Sequence, residues 1–181
     1  MNEEHDERLF PKHFFWGASV ASHQVEGGTV NQWSIWELAN AKILAQTAHQ
    51  QLSWLPKWNK IKAKAEDPNN YVSGRGVAHF SRFEEDFDIA KGLGLKAFRF
   101  GLEWSRIEPE EGVWNRDAIT HYKQYILALR KRGLEPFLNI WHWTVPVWFA
   151  EKGGFKNRDN LKYFERFVAK VADEFVDDIN Y

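Results

Sequence analysis

Short apolar runs along this chain alternate with longer stretches in which apolar residues recur every three or four positions. The short runs predict strands at residues 13–19, at the start of 95–109 and at 135–140. The longer stretches predict amphipathic helices between and after them. A strand followed by a helix repeats about every forty residues, a spacing typical of a parallel sheet covered by helices. The chain is therefore expected to have an α/β fold.

Local signals predict where the first long helices begin and end. From about Trp33 to Asp67 the chain is expected to be helical, and Pro56 should divide this stretch into two helices. Further along, Ser81-x-x-Glu84 has the form of a capping box and predicts the start of the next helix.

Two more helices are expected after the second and third strands. Asn115 should cap the first of them and Gly133 should close it, and Asn157 or Asp159 should start the last. Both carry an apolar stripe, made of Ile119, Tyr122, Ile126 and Leu129 in the first and of Leu161, Phe164, Val168, Val171 and Phe175 in the last.

Polar and aromatic side chains are concentrated where the second and third predicted strands end. The second strand runs into a cluster of Arg99, Glu103, Trp104, Ser105 and Arg106, and the third runs into Trp141, His142 and Trp143. Buried charges are costly unless they are paired, so these clusters indicate the rim of a polar pocket. Two successive strands with such carboxyl ends predict a (β/α)8 barrel, whose active site lies at that face.

Three segments of the sequence resemble glycoside hydrolase family 1, the β-glucosidases and β-galactosidases. Residues 97–109, Ala-Phe-Arg-Phe-Gly-Leu-Glu-Trp-Ser-Arg-Ile-Glu-Pro, resemble its second-strand motif. Residues 10–28 resemble its N-terminal signature, and residues 136–148 resemble its third-strand segment with the His-Trp pair. The resemblance implies an α/β fold that is the N-terminal part, about three βα units, of a (β/α)8 TIM barrel.

The length of the chain bears on how much of that barrel is present. A complete (β/α)8 barrel takes about 250 residues, whereas this chain has 181. We therefore expect residues 1–181 to be a partial catalytic barrel with strands 1 to 3 and a helical insertion around residues 33–67. The alternative is a compact three-stranded α/β protein.

Retaining hydrolysis of a glycoside needs two carboxyl groups about 5–5.5 Å apart. The resemblance implies that these belong to an Asn-Glu-Pro motif after strand 4 and a Glu-Asn-Gly-type motif after strand 7. Neither motif occurs in the sequence, so no catalytic residue is assigned and this chain alone is expected to be inactive. Glu103 is expected to pair with Arg99 or Arg106, since Arg99 and Glu103 share one face of an extended strand. Glu26 is expected to point with Gln24, and the resemblance implies that it takes part in the local hydrogen bonding of the N-terminal signature rather than donating a proton.

The resemblance also implies roles for four residues. Arg99 would contact the nucleophilic carboxylate, and a guanidinium lowers a carboxylate pKa by about 1–3 units. Its alternative role is an ion pair with Glu103. Gln24 and His142 would bind substrate, because an amide and an imidazole can each match the donors and acceptors of sugar hydroxyls. Trp143 either forms a wall facing the sugar or packs behind His142, and four further Trp residues are expected in the core: Trp16, Trp104, Trp141 and Trp148.

Composition narrows the classes of partner. Lys and Arg (24) nearly balance Asp and Glu (25), so neither a nucleic acid nor an anionic membrane is an expected partner. No run of about eighteen apolar residues predicts a membrane helix, and the acidic first eight residues do not resemble a secretory signal. The chain has no cysteine, which fits a cytoplasmic location, and no metal or nucleotide motif, so no cofactor is expected. The expected partner is a small-molecule β-glycoside or oligosaccharide.

The sequence departs from the commonest family pattern in two places. Thr144 follows His142 and Trp143 where many members have Asp, and the helical stretch at 33–67 is longer than in many members. That stretch would lie beside the loop after the first strand. There it would either shape the aglycone side of the site or serve only as a structural cover. Two other functions stay open, a non-catalytic sugar-binding or interaction module and a different TIM-barrel hydrolase. The sequence also leaves open the preference for glucose, galactose or a phosphosugar, the aglycone and the oligomeric state.

Overall fold

The three predicted strands form one parallel sheet. The structure, a computed structural model, describes residues 10–11 and 13–181. Strands β1 (Gly17–Ser19), β2 (Ala97–Gly101) and β3 (Glu135–Asn139) lie in the order β1-β2-β3. β1 is shorter than predicted. The expectation about the first eight residues lies outside the described part of the chain.

Eight α-helices and three 3₁₀ turns occur in the described residues. The helices are α1 (Ser22–Val25), α2 (Gln32–Leu52), α3 (Trp58–Ala65), α4 (His79–Gly92), α5 (Trp104–Ile107), α6 (Arg116–Lys131), α7 (Val147–Glu151) and α8 (Leu161–Phe175). The 3₁₀ turns cover Pro68–Tyr71, Gly154–Lys156 and Arg158–Asn160. None of these helices is long and apolar enough to cross a membrane.

The predicted helix boundaries agree in part with the structure. α2 ends and α3 begins on either side of Pro56, as predicted. Asn115 caps α6, accepting from the backbone N–H of Ala118 at 3.1 Å. The predicted capping box is wrong, because α4 begins before Ser81, whose hydroxyl donates to the carbonyl of Ala78. Before α8, Asn157 caps the 3₁₀ turn rather than the helix itself.

The hydrophobic core lies between the sheet and helices α4, α6 and α8. β2 contributes Phe98 and Phe100, which are buried there. The helices contribute further buried side chains, among them Phe87, Tyr122, Ile126, Leu129, Phe167 and Phe175. Because side chains alternate along a strand, Arg99 lies on the other face of the sheet, in register with Ser19 of β1 and Phe137 of β3. The helices thus cover one face, and the carboxyl ends of the strands meet at one edge.

Candidate functional site

A cavity of about 250 Å³ opens where the carboxyl ends of the strands meet. Its walls come from the start of α1 and the residue before it, the start of α2 and the loop after β3: Ala21, His23, Gln24, Trp33, His142, Trp143 and Thr144. Gln24, His142 and Trp143, which were singled out in the sequence, therefore lie around one cavity. Residues more than a hundred positions apart in sequence meet there because β1 and β3 flank β2 in a parallel sheet.

Gln24 and His142 present polar groups that no described residue engages. Among the described residues, neither side chain forms a hydrogen bond, and the buried Nδ1 of His142 has no partner. An amide offers donors and an acceptor, and a neutral imidazole offers one of each. The cavity can therefore bind a ligand that carries neighbouring hydroxyl groups.

Two indole rings border the same cavity. Trp143 is 78% exposed and has a φ of 69°, a left-handed conformation that is rare for a bulky residue. It therefore forms an open wall rather than packing behind His142. Trp33, at the start of α2, is 49% exposed, and its ring centroid lies 5.3 Å from that of Trp36. Sequence reasoning missed Trp33, because nothing in its local pattern separates it from a core tryptophan.

The other tryptophans only partly follow the prediction that they lie in the core. Trp104 is fully buried, and Trp148 is partly buried against Trp104 and Phe149. The prediction is wrong for Trp16 and Trp141, which are 53% and 37% exposed. Trp141 instead donates its indole N–H to the carbonyl of Thr144.

Arg99 does not line the cavity. Its side chain is exposed on the face of the sheet away from the helices, and its Nη1 donates to Ser19 Oγ at 3.1 Å. The predicted ion pair with Glu103 is absent from the described structure. After Gly101 the strand turns into α5, so Glu103 points into the interior instead of sharing a face with Arg99.

Glu103 is buried among neutral donors. One carboxylate oxygen accepts from Ser105 Oγ at 2.9 Å and from Asn31 Nδ2 at 3.4 Å, and the other accepts from Thr144 Oγ1 at 2.9 Å. The alternative expectation, an ion pair with Arg106, is wrong as well, because Arg106 binds Glu26.

Glu26 links the loop after β1 to two helices. Its carboxyl group accepts from Arg106 Nε at 2.8 Å and from the Tyr122 hydroxyl at 2.9 Å. Burial raises the pKa of Glu26 to about 7, although the Arg106 charge and the Tyr122 hydrogen bond act to lower it. Glu26 does not point with Gln24, because the helical turn α1 rotates one inward and the other outward. Glu26 does form hydrogen bonds, but these partners come from α5 and α6 and not, as was expected, from the neighbouring residues.

A polar network that the sequence did not predict joins the same loop to α2. His23 Nε2 lies 3.0 Å from Glu37 Oε1, and His23 Nδ1 lies 3.2 Å from Asn31 Nδ2. Burial acts to raise the pKa of Glu37, but hydrogen bonds from Ser73 and His23 outweigh it and lower that pKa. The partners are far apart in sequence and follow no fixed spacing, so no local signal could have found them. The described residues contain no group of three or more side chains suited to hold a metal ion.

Comparison with known proteins gives one consistent result. Residues 6–181 match the family described as Glycosyl hydrolase family 1. Beta-glucosidase A of Acetivibrio thermocellus is 31% identical over 87% of this chain, and aryl-phospho-beta-D-glucosidase BglC of Bacillus subtilis is 30% identical over all of it. The alignments cover 32% and 34% of those relatives, so the chain spans about a third of their length.

Solved structures agree with the sequence matches. A beta-glycosidase from Pyrococcus horikoshii superposes with a TM-score of 0.70 at 34% identity, covering 92% of this chain and 33% of its own. A beta-glucosidase from Exiguobacterium marinum gives a TM-score of 0.76 at 26% identity, covering 94% and 34%. The described sheet and helices are thus part of a TIM barrel.

Proposed function

Because this chain belongs to glycosyl hydrolase family 1, we propose that it supplies the sugar-recognition side of a retaining β-glycosidase. The observation that carries the proposal is the cavity in which Gln24 and His142 present uncommitted polar groups between two exposed indole rings. Aromatic rings suit the apolar face of a pyranose, and the amide and imidazole suit its hydroxyls. In this proposal residues 1–181 form a partial catalytic barrel with an inserted helical segment around 33–67.

The chemistry is divided between this chain and carboxyl groups outside it. Retention requires a nucleophile and an acid/base, and neither family motif occurs in the 181 residues. Arg99 would hold the nucleophile ionised, since a guanidinium favours the charged form of a nearby carboxyl group. Its exposed position on the sheet face, bonded only to the Ser19 hydroxyl among the described residues, leaves its other donors for that role.

The substrate class follows from the cavity and the relatives together. Two relatives are named beta-glucosidase A and aryl-phospho-beta-D-glucosidase, which makes a terminal β-linked glucoside the proposed substrate. Binding without hydrolysis is the second candidate function, and the free polar groups of Gln24 and His142 favour it equally. Both candidates predict no turnover by these 181 residues. They are separated by whether a chain that also carries the two motif carboxyl groups hydrolyses the glucoside.

We expect the chain to bind methyl β-D-glucoside without hydrolysing 4-nitrophenyl β-D-glucoside. Gln24→Ala and His142→Ala should each weaken binding about tenfold, the loss of about one hydrogen bond. NMR titration with methyl β-D-glucoside measures the affinity. Gln46→Ala is the matched control, because Gln46 is exposed on α2 away from the cavity, and its affinity should be unchanged.

Two results would count against the proposal. If wild type, Gln24→Ala and His142→Ala bound the glucoside with equal affinity, the cavity would not be the sugar-binding site. Turnover of the chromogenic glucoside by a contaminant-free sample of the chain would show that its catalytic carboxyl groups are among these residues.

A further inference from the structure

The turn that carries His142 and Trp143 is held by the residue that follows it. Thr144 is buried, and its backbone N–H donates to the carbonyl of His142 at 2.8 Å. The Trp141 indole donates to the carbonyl of Thr144 at 3.0 Å. Trp143 lies between these bonds in its left-handed conformation. The positions of both cavity rings therefore depend on where Thr144 is fixed.

Thr144 is fixed by Glu103, which lies between β2 and α5. Its hydroxyl donates to one carboxylate oxygen of Glu103 at 2.9 Å. The other oxygen faces Ser105 and Asn31. Glu103 is 1% exposed, and no Lys or Arg forms an ion pair with it in the described ranges. A buried carboxyl group without a paired cation depends on the hydrogen bonds that neutral donors give it, and the Thr144 hydroxyl is one of three such side-chain donors.

We infer that Glu103 is a positioning residue that sets the His142–Trp143 turn through the hydroxyl of Thr144. Its effect on sugar affinity rests on the proposed function, whereas its effect on the turn does not. The inference also gives a reason for a hydroxyl group rather than a carboxylate at position 144. A carboxylate there would face Glu103 at hydrogen-bond distance without a compensating cation.

The surrounding charges strengthen this repulsion. The Glu26 carboxyl group lies close enough to Glu103 for the two charges to interact, and Arg106 is already engaged by Glu26 and by the carbonyl of Gly27. A carboxylate at position 144 would add a third acid to a buried region with one bound cation. Like charges in such a setting cannot all ionise without cost.

The test compares Thr144→Ser, which keeps the hydroxyl, with Thr144→Val, which keeps the shape. Both are measured in the sugar-free chain by the NMR signal of the Trp143 indole N–H, and by titration with methyl β-D-glucoside. We expect Thr144→Ser to leave the signal in place and the affinity within about twofold of wild type. Thr144→Val should shift the signal and weaken binding about tenfold, as expected for one lost hydrogen bond.

A charge swap tests the electrostatic part. Thr144→Asp should shift the Trp143 signal and weaken binding more than Thr144→Val, and adding Glu103→Ser should restore both by giving Asp a hydroxyl donor. Thr120→Asp, on the exposed side of α6, is the matched control and should change neither. If Thr144→Asp does not fold, the Ser and Val variants still decide.

The outcomes separate this inference from the proposed function. If the Trp143 signal did not shift in Thr144→Val, the positioning role would be overturned, whatever the affinity for methyl β-D-glucoside. A shifted signal in a chain whose wild type binds no sugar would support the positioning role and reject the proposed sugar site. If Glu103→Ser restored neither the Trp143 signal nor the affinity of Thr144→Asp, repulsion from Glu103 would not be the reason for a hydroxyl group at position 144.

Discussion

Replacing Gly27 by alanine is expected to destabilise the chain by about 2–5 kcal/mol. Gly27 has a φ of 78°, which costs an L-residue about 1–2 kcal/mol. In addition, a Cβ at this position would lie 2.0 Å from the carbonyl oxygen of Arg75, and backbone atoms there cannot move aside as a flexible side chain would. Urea unfolding followed by circular dichroism measures the loss.

Gly28 provides the matched control for this prediction. Its φ of 63° is equally left-handed, but a Cβ there would meet nothing within 4 Å. Gly28→Ala should therefore lower the free energy of unfolding only by the conformational cost of about 1–2 kcal/mol. Equal losses in the two variants would mean that the approach of the Arg75 backbone does not constrain this loop.

Local signals in the sequence predicted most of the secondary structure, because those signals act within a few residues. The side chain of Asn115 bonds to the third residue of its own helix, and a proline such as Pro56 interrupts the interior of a helix. Ser81 shows the limit of such patterns. Because α4 already begins at His79, Ser81 lies inside the helix and its hydroxyl donates to the carbonyl of Ala78 instead of capping.

The wrong predictions for Glu26 and Glu103 share one physical cause, which is that each strand ends early and a short helical turn follows it. α1 and α5 have four residues each, too few to show an apolar period. Continuing the strand pattern beyond Ser19 and Gly101 predicted that Glu26 points with Gln24 and that Glu103 points with Arg99. In the structure both glutamates turn into the interior and bind partners from other elements.

The candidate site was predictable only where family resemblance named a residue. Gln24, His142 and Trp143 were found in this way, and the structure gathers them around one cavity. Trp33 and His23, which also line it, come from no motif that assigns them a role. Their positions depend on how α2 packs beside the loop after β1, through bonds such as His23 to Glu37, and long-range packing leaves no periodic trace in sequence.

Glu26 is expected to make stability depend on pH between about 4.5 and 7. Its pKa is about 7 in the folded chain, against an ordinary value of 4.5. Below pH 4.5 both states hold the proton, so its stabilising contribution is complete. As the pH rises toward 7 the unfolded chain releases the proton while the folded chain retains it, and about 3 kcal/mol of stability is lost. Urea unfolding at a series of pH values measures the change.

Glu26→Gln isolates this effect from that of His121, which acts in the opposite direction. Burial, with the nearby Arg106 charge, lowers the pKa of His121 to about 4, so its contribution makes the chain more stable as pH rises through the same range. The free energy of unfolding of the wild type should therefore change little with pH, because the contributions of Glu26 and His121 oppose each other. In Glu26→Gln the contribution of His121 remains without the opposing one, so the stability of the variant should rise with pH. The free energy of unfolding of Glu26→Gln should increase by about 3 kcal/mol relative to that of the wild type between pH 4.5 and 7.5. A constant difference between the two chains across that range would mean that Glu26 is ionised in the folded state throughout, held so by Arg106 and Tyr122.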